Sequence, residues 1–79
     1  MTITFKLYAS ARDTLKTNTL SLEMEDIHIL YAYVNTLQNK YPEYNFNVCR
    51  FAKGNKYIKL ADVVHDGDII SIIPPVSGG

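Results

Sequence analysis

A second cysteine is missing. Cys49 stands alone among 79 residues, so no intrachain disulfide can form and no paired thiols can hold zinc. A reducing, cytosolic setting is the default for such a chain. An excess of charge is missing too, because eight basic and eight acidic residues cancel. Without a basic stripe or aromatic–basic interleaving, nucleic acid finds little to bind. No apolar run approaches the roughly 20 residues that span a bilayer. Met1-Thr2-Ile3-Thr4-Phe5-Lys6 also lacks the basic start of a signal peptide. The expectation is a small soluble cytoplasmic protein with no membrane or nucleic-acid partner.

Catalytic groups are equally sparse. His28 falls off the apolar stripe of its segment and reads as a solvated surface residue. His65 lies beside Asp66 and Asp68 in a turn, with no nucleophile at a useful spacing. Asp66-Gly67-Asp68 is too short for calcium, which takes about six to eight oxygens. Cys49 sits among apolar residues without a neighbouring cation and reads as an inert core thiol. Tyr31 and Tyr41 fall on a helical stripe, whereas Tyr8 and Tyr57 are placed to face solvent or a partner. No bound metal or cofactor is expected.

What the chain does have is clear periodicity. Residues 2–9 alternate, with Ile3, Phe5, Leu7 and Ala9 on one face, as in a half-buried strand. Residues 10–18 are polar and predict a turn. Residues 19–24 alternate again with Leu20, Leu22 and Met24 inward, so the two strands predict an antiparallel hairpin. The period then changes. Ile27, Leu30, Tyr31, Val34, Leu37 and Tyr41 form a helical stripe over 27–41, with Asp26 as N-cap and Pro42 as the stop. A third strand is predicted over 46–52, a turn at Lys53-Gly54-Asn55 and a short edge strand over 56–60. After the connector 61–64, a tight turn at His65-Asp66-Gly67-Asp68 leads into a last strand, 69–73.

One amphipathic helix covers one face of such a sheet, which gives a two-layer α+β domain over 1–79. The β-branched run Ile69-Ile70-Ser71-Ile72-Ile73 wants a central place. Pairing it parallel to the first strand predicts the β-grasp, or ubiquitin-like, arrangement: a mixed sheet covered on one face by one main helix. On the last strand, Ile70 and Ile72 then face the helix with Phe5 and Leu7. Ile69 and Ile73 face the other way, and Ile73 becomes a candidate partner contact beside the tail.

The tail organises the rest. Proline fixes φ and donates no amide hydrogen, so Pro74-Pro75 ends the strand and starts a stiff extended arm. Val76 and Ser77 continue it, and Gly78-Gly79 finish it without side chains. A few small residues at a terminus carry little meaning alone. The combination of strand, Pro-Pro and Gly-Gly suits insertion of a terminal carboxylate into a narrow site on another protein. That carboxylate is a poor electrophile until an enzyme activates it with ATP as an acyl-adenylate. A sulfur donor then yields a thiocarboxylate, and an amine yields an isopeptide-type link.

The run from Asp66-Gly67-Asp68 through Ile69–Ile73 to Pro74-Pro75-Val76-Ser77-Gly78-Gly79 resembles the MoaD-type sulfur carriers, the small subunits of molybdopterin synthase. Ala9-Ser10-Ala11-Arg12-Asp13 resembles the loop after that family's first strand, and the middle matches in element order and length. Thiamin-pathway carriers share the fold and Gly-Gly but usually lack the Pro-Pro-Val-Ser context. One departure is visible at Phe51-Ala52-Lys53-Gly54-Asn55, which lacks the family's Val-Asn before the short strand.

The resemblance implies a role for each part. A MoeB-type, E1-like enzyme uses ATP to adenylate Gly79, and a sulfur donor converts it to a thiocarboxylate. Residues 74–79 insert into the large subunit, where the sulfur passes to cyclic pyranopterin monophosphate. The acid–base groups and pterin pocket belong to that large subunit, and a heterotetramer is the family expectation. Sulfur carriage for thiamin or tRNA thiolation, a lysine-linked modifier and a passive binding domain stay open as alternatives.

Overall fold

Alternation along two strands sets the core of the molecule. The computed structural model describes residues 1–75. Its elements are β1 (Thr2–Leu7), α1 (Ala9–Leu15), β2 (Thr19–Glu23), α2 (Leu30–Lys40), a 3-10 turn (Phe46–Val48), β3 (Arg50–Lys53), β4 (Lys56–Ile58) and β5 (Ile69–Ile73). The sheet order is β2-β1-β5-β3-β4. β1 pairs antiparallel with β2 and parallel with β5, which places Phe5 opposite Leu20 on one side and Ile70 on the other. β5 is therefore central and β4 is an edge, as predicted for a β-grasp. Ile3, Phe5, Ile70 and Ile72 are fully buried with Leu30, Tyr33 and Leu37 of α2.

Three local expectations are corrected. Residues 10–18 are not a simple turn, because α1 occupies Ala9–Leu15. Nothing in its polar sequence announces it. Ala11 is buried in the main core cluster, and Lys16 closes the helix in the left-handed region (φ 57) with its N–H on the Arg12 carbonyl. Burial of one face thus stabilises a helix that propensity and capping do not predict. The pairing of β1 with β2 stands, but a helix joins them.

The main helix starts later than the stripe suggests. Asp26 is not its N-cap; it has φ 53 in the preceding turn, and Ile29 caps the helix without a side-chain bond. Residue 29 instead pairs across to Val63. The amides of Leu30 and Tyr31 donate to the carbonyls of Asp62 and Leu60 at 3.0 and 2.8 Å. Backbone from the connector satisfies the helix start, so no capping side chain is needed. Tyr33 replaces Tyr31 on the buried face and donates its hydroxyl to the Ile27 carbonyl at 2.8 Å, while Tyr31 is 55% exposed.

The predicted strand over 46–52 begins only at Arg50. Side chains capture the backbone before it. Gln38 accepts from the Phe46 amide at 2.9 Å and donates to the Tyr44 carbonyl at 2.6 Å. Asn45 accepts from the Asn47 amide at 3.1 Å, which holds Phe46–Val48 as a 3-10 turn. Such side-chain bonds compete with sheet pairing.

The Asp-Gly-Asp turn fastens β5 to its neighbours. Gly67 has φ 86, and its amide donates to the Thr2 carbonyl at 2.8 Å. Asp66 accepts from the Thr2 amide at 2.7 Å. Asp68 accepts from the His65 amide at 2.8 Å and from the Lys53 ammonium at 3.0 Å. Burial alone would raise the Asp68 carboxyl, but the His65 amide and the Lys53 charge outweigh it and hold it below the usual 3.8.

A depressed folded pKa adds stability that is present above the ordinary value. It is lost as pH falls through the folded one. Asp68→Asn is therefore expected to destabilise the domain by about 1–2 kcal/mol at neutral pH. Denaturant curves taken across pH should show the gap between variant and wild type closing in acid, below the ordinary carboxyl value. A gap that stays constant with pH contradicts this reading.

Candidate functional site

The face of the sheet turned away from α2 carries the candidate site. Ile69, Ser71 and Ile73 alternate with the buried Ile70 and Ile72, so they point to this outer face. The β3–β5 register sets Arg50 opposite Ile73 and Ala52 opposite Ser71. The β3–β4 register then brings Tyr57 opposite Ala52. Ile69 and Tyr57 are 49% and 60% exposed. Ile73, expected as an exposed contact, is only partly buried and sits among Arg50, Tyr57 and Ala52.

Tyr57 and Ile73 form a ridge between two hollows. One, of about 340 Å³, is lined by Val48, Arg50, Tyr57, Ile73, Pro74 and Pro75. The other, of about 180 Å³, is lined by Ala52, Gly54, Asn55, Tyr57 and Ile73. The Arg50 guanidinium lies over the Tyr57 ring, 5.5 Å from its centroid. An apolar ridge with a stacked arginine beside it has the composition of a protein-binding patch.

The tail leaves from this patch. Central β5 ends at Ile73, and Pro74 and Pro75 line the larger hollow. Val76, Ser77, Gly78 and Gly79 lie outside the described residues, and the expectations placed on them remain those of the sequence. The structure thus joins Ile73, Pro74 and Pro75 to Tyr57 and Arg50. Tyr57 carried a signal in the sequence, as an aromatic on a short edge strand. Arg50 carried none, because its place beside Ile73 depends on a long-range register.

The remaining candidates stay apart from the patch. His28 is exposed and 3.4 Å from Asp26. His65 is exposed and serves the Asp68 turn through its amide. Cys49 is buried beside the Tyr44 hydroxyl at 3.6 Å; burial pushes its thiol up, against a smaller opposing effect of that hydroxyl. It is a protonated packing group. Among the described residues no cluster of His, Cys, Asp and Glu could hold a metal ion, and no helix is long and apolar enough to cross a membrane.

The sequence profile of the ThiS family matches residues 5–79. Among solved structures, the chain is 27% identical to a protein in the complex of subunits 1 and 2 of the molybdopterin-converting factor from Helicobacter pylori 26695, at TM-score 0.70 with 100% of both chains covered. It shares the fold of small archaeal modifier protein 1 from Haloferax volcanii, at 17% identity, TM-score 0.83 and 100% coverage of both chains. The same holds for small archaeal modifier protein 1 from Methanosarcina acetivorans, at 24% identity and TM-score 0.79, with 99% of this chain and 96% of that chain covered.

Proposed function

The chain belongs to the ThiS family of ubiquitin-like sulfur carriers, and we propose that within it this protein is the small subunit of a molybdopterin synthase. Residues 1–79 act as one domain, with 74–79 as its working tail. A MoeB-type, E1-like enzyme adenylates the Gly79 carboxylate: one carboxylate oxygen attacks the α-phosphorus of ATP and pyrophosphate leaves. Sulfide-level sulfur from a donor then attacks the acyl carbon, the acyl–phosphate bond breaks, AMP leaves and a thiocarboxylate remains. The tail enters the large subunit, and the sulfur passes to cyclic pyranopterin monophosphate. This chain supplies the sulfur-bearing group and the docking face, not a pocket for pterin or ATP.

One observation carries the reading. The central strand runs into Pro74-Pro75 at the edge of an apolar two-hollow face, so docking that face aims the tail. A proline pair restricts the arm before binding and lowers the entropy lost on insertion. The 27% identity with a protein solved in the complex of two molybdopterin-converting subunits supports this reading.

The test is reconstitution. Thiocarboxylated chain, the large subunit and cyclic pyranopterin monophosphate should together yield the dithiolene. Sulfur delivered instead to a thiazole precursor or a tRNA base, or a lysine-linked conjugate, overturns the assignment. Docking has its own check. Ile73→Asp places a charge on the ridge and should weaken large-subunit binding by about 2 kcal/mol or more, roughly thirtyfold. The fold should survive, because Ile73 stands outside the core cluster. Calorimetric titration showing unchanged affinity sinks the docking face.

A further inference from the structure

We infer that the subunit receiving the tail presents a carboxylate to Arg50, so that this arginine selects the partner by charge. The inference rests on the sulfur-transfer reading above and names the chemistry of its partner. Among the described residues the arginine and lysine ion pairs are Arg12–Asp13 and Lys53–Asp68, and neither uses Arg50. Three acids of the connector and the turn before β5 have partners other than Arg50. Asp62 accepts from the Lys59 amide at 2.8 Å, Asp66 from the Thr2 amide at 2.7 Å, and Asp68 from Lys53 at 3.0 Å.

Along β3 and β4 the charged side chains have one sign. From Tyr44 to Ala61 the chain carries Arg50, Lys53, Lys56 and Lys59 and no acidic residue. Lys53 is taken by Asp68, which leaves Arg50, Lys56 and Lys59 to set the potential around β4. A guanidinium stacked on an aromatic ring keeps its in-plane N–H groups for a bidentate carboxylate. Arg50 also lines the hollow that contains Pro74 and Pro75. The matching carboxylate therefore sits at the mouth of the partner's tail channel, and the charge contact forms as the tail enters. A partner with a basic rim at that mouth is repelled.

The test measures association of the full chain with the large subunit of its own organism, across ionic strength. Arg50→Glu should slow association about tenfold at low salt, with the difference shrinking as screening increases. The melting temperature should match wild type. Reversing one acidic residue at the channel mouth of the large subunit should restore the rate of the Arg50→Glu chain. Equal association rates for wild type and Arg50→Glu at every salt concentration overturn the inference and leave the sulfur-transfer reading standing. A wild-type chain that fails to bind the large subunit at all overturns both.

Discussion

A chain lacking Gly78 and Gly79 is expected to lose thiocarboxylate formation to background while melting with the full-length protein. The two outcomes separate because chemistry and core occupy different parts of the chain. The core cluster runs from Ile3 to Ile72, and β5 ends at Ile73. The described core cluster is complete without residues 78 and 79, so their removal is expected to leave the melt unchanged. That removal does move the terminal carboxylate back to Ser77, about 7 Å short at extended-chain reach and on a residue with a side chain, out of the proposed reach of the activating enzyme. Intact mass after activation and a thermal melt check both halves. A shortened chain that still gains sulfur contradicts the role of Gly79, and one that unfolds contradicts its place outside the core.

The opposite pattern is expected for Phe5→Ala. Phe5 is fully buried at the middle of β1, between Leu20 of β2 and Ile70 of β5. Truncation of a buried phenylalanine costs about 3–5 kcal/mol through lost transfer energy and the cavity left behind. The domain as a whole is worth about 4–12 kcal/mol at its length. The variant should therefore melt at least about 12 °C lower. Sulfur loading should fall only as the folded population falls. A melting shift of a few degrees contradicts the placement of Phe5 at the centre of the core.

Much of this architecture is legible from side-chain period. The alternation of Ile3, Phe5 and Leu7, the β-branched run at 69–73 and the stripe Leu30, Val34 and Leu37 point to the layers that the structure shows. The proline pair marks where the central strand must end. What period cannot reveal is backbone satisfied from far away. Leu60 and Asp62 carbonyls cap α2, so Asp26 loses a role that local rules assign to it. Gln38 binds the backbone at 44–46 and delays β3. The helix α1 has only Ala11 fully buried, too little for an apolar stripe to register.

The candidate site divides in the same way. Ile73 and the tail can be read from sequence because they follow one another along the chain. Tyr57 and Arg50 join them only through two strand registers and a crossing of the sheet. Their place beside Ile73 becomes visible once β3 lies between β4 and β5.

The measurement closest to the central claim is the intact mass of the full chain after incubation with ATP, a MoeB-type activating enzyme and a sulfur source. The account predicts a gain equal to one oxygen-to-sulfur exchange at the C-terminal carboxylate, reversed when the thiocarboxylate is hydrolysed. An unchanged mass, with the enzyme shown to be active on its own carrier, would contradict sulfur carriage by this chain.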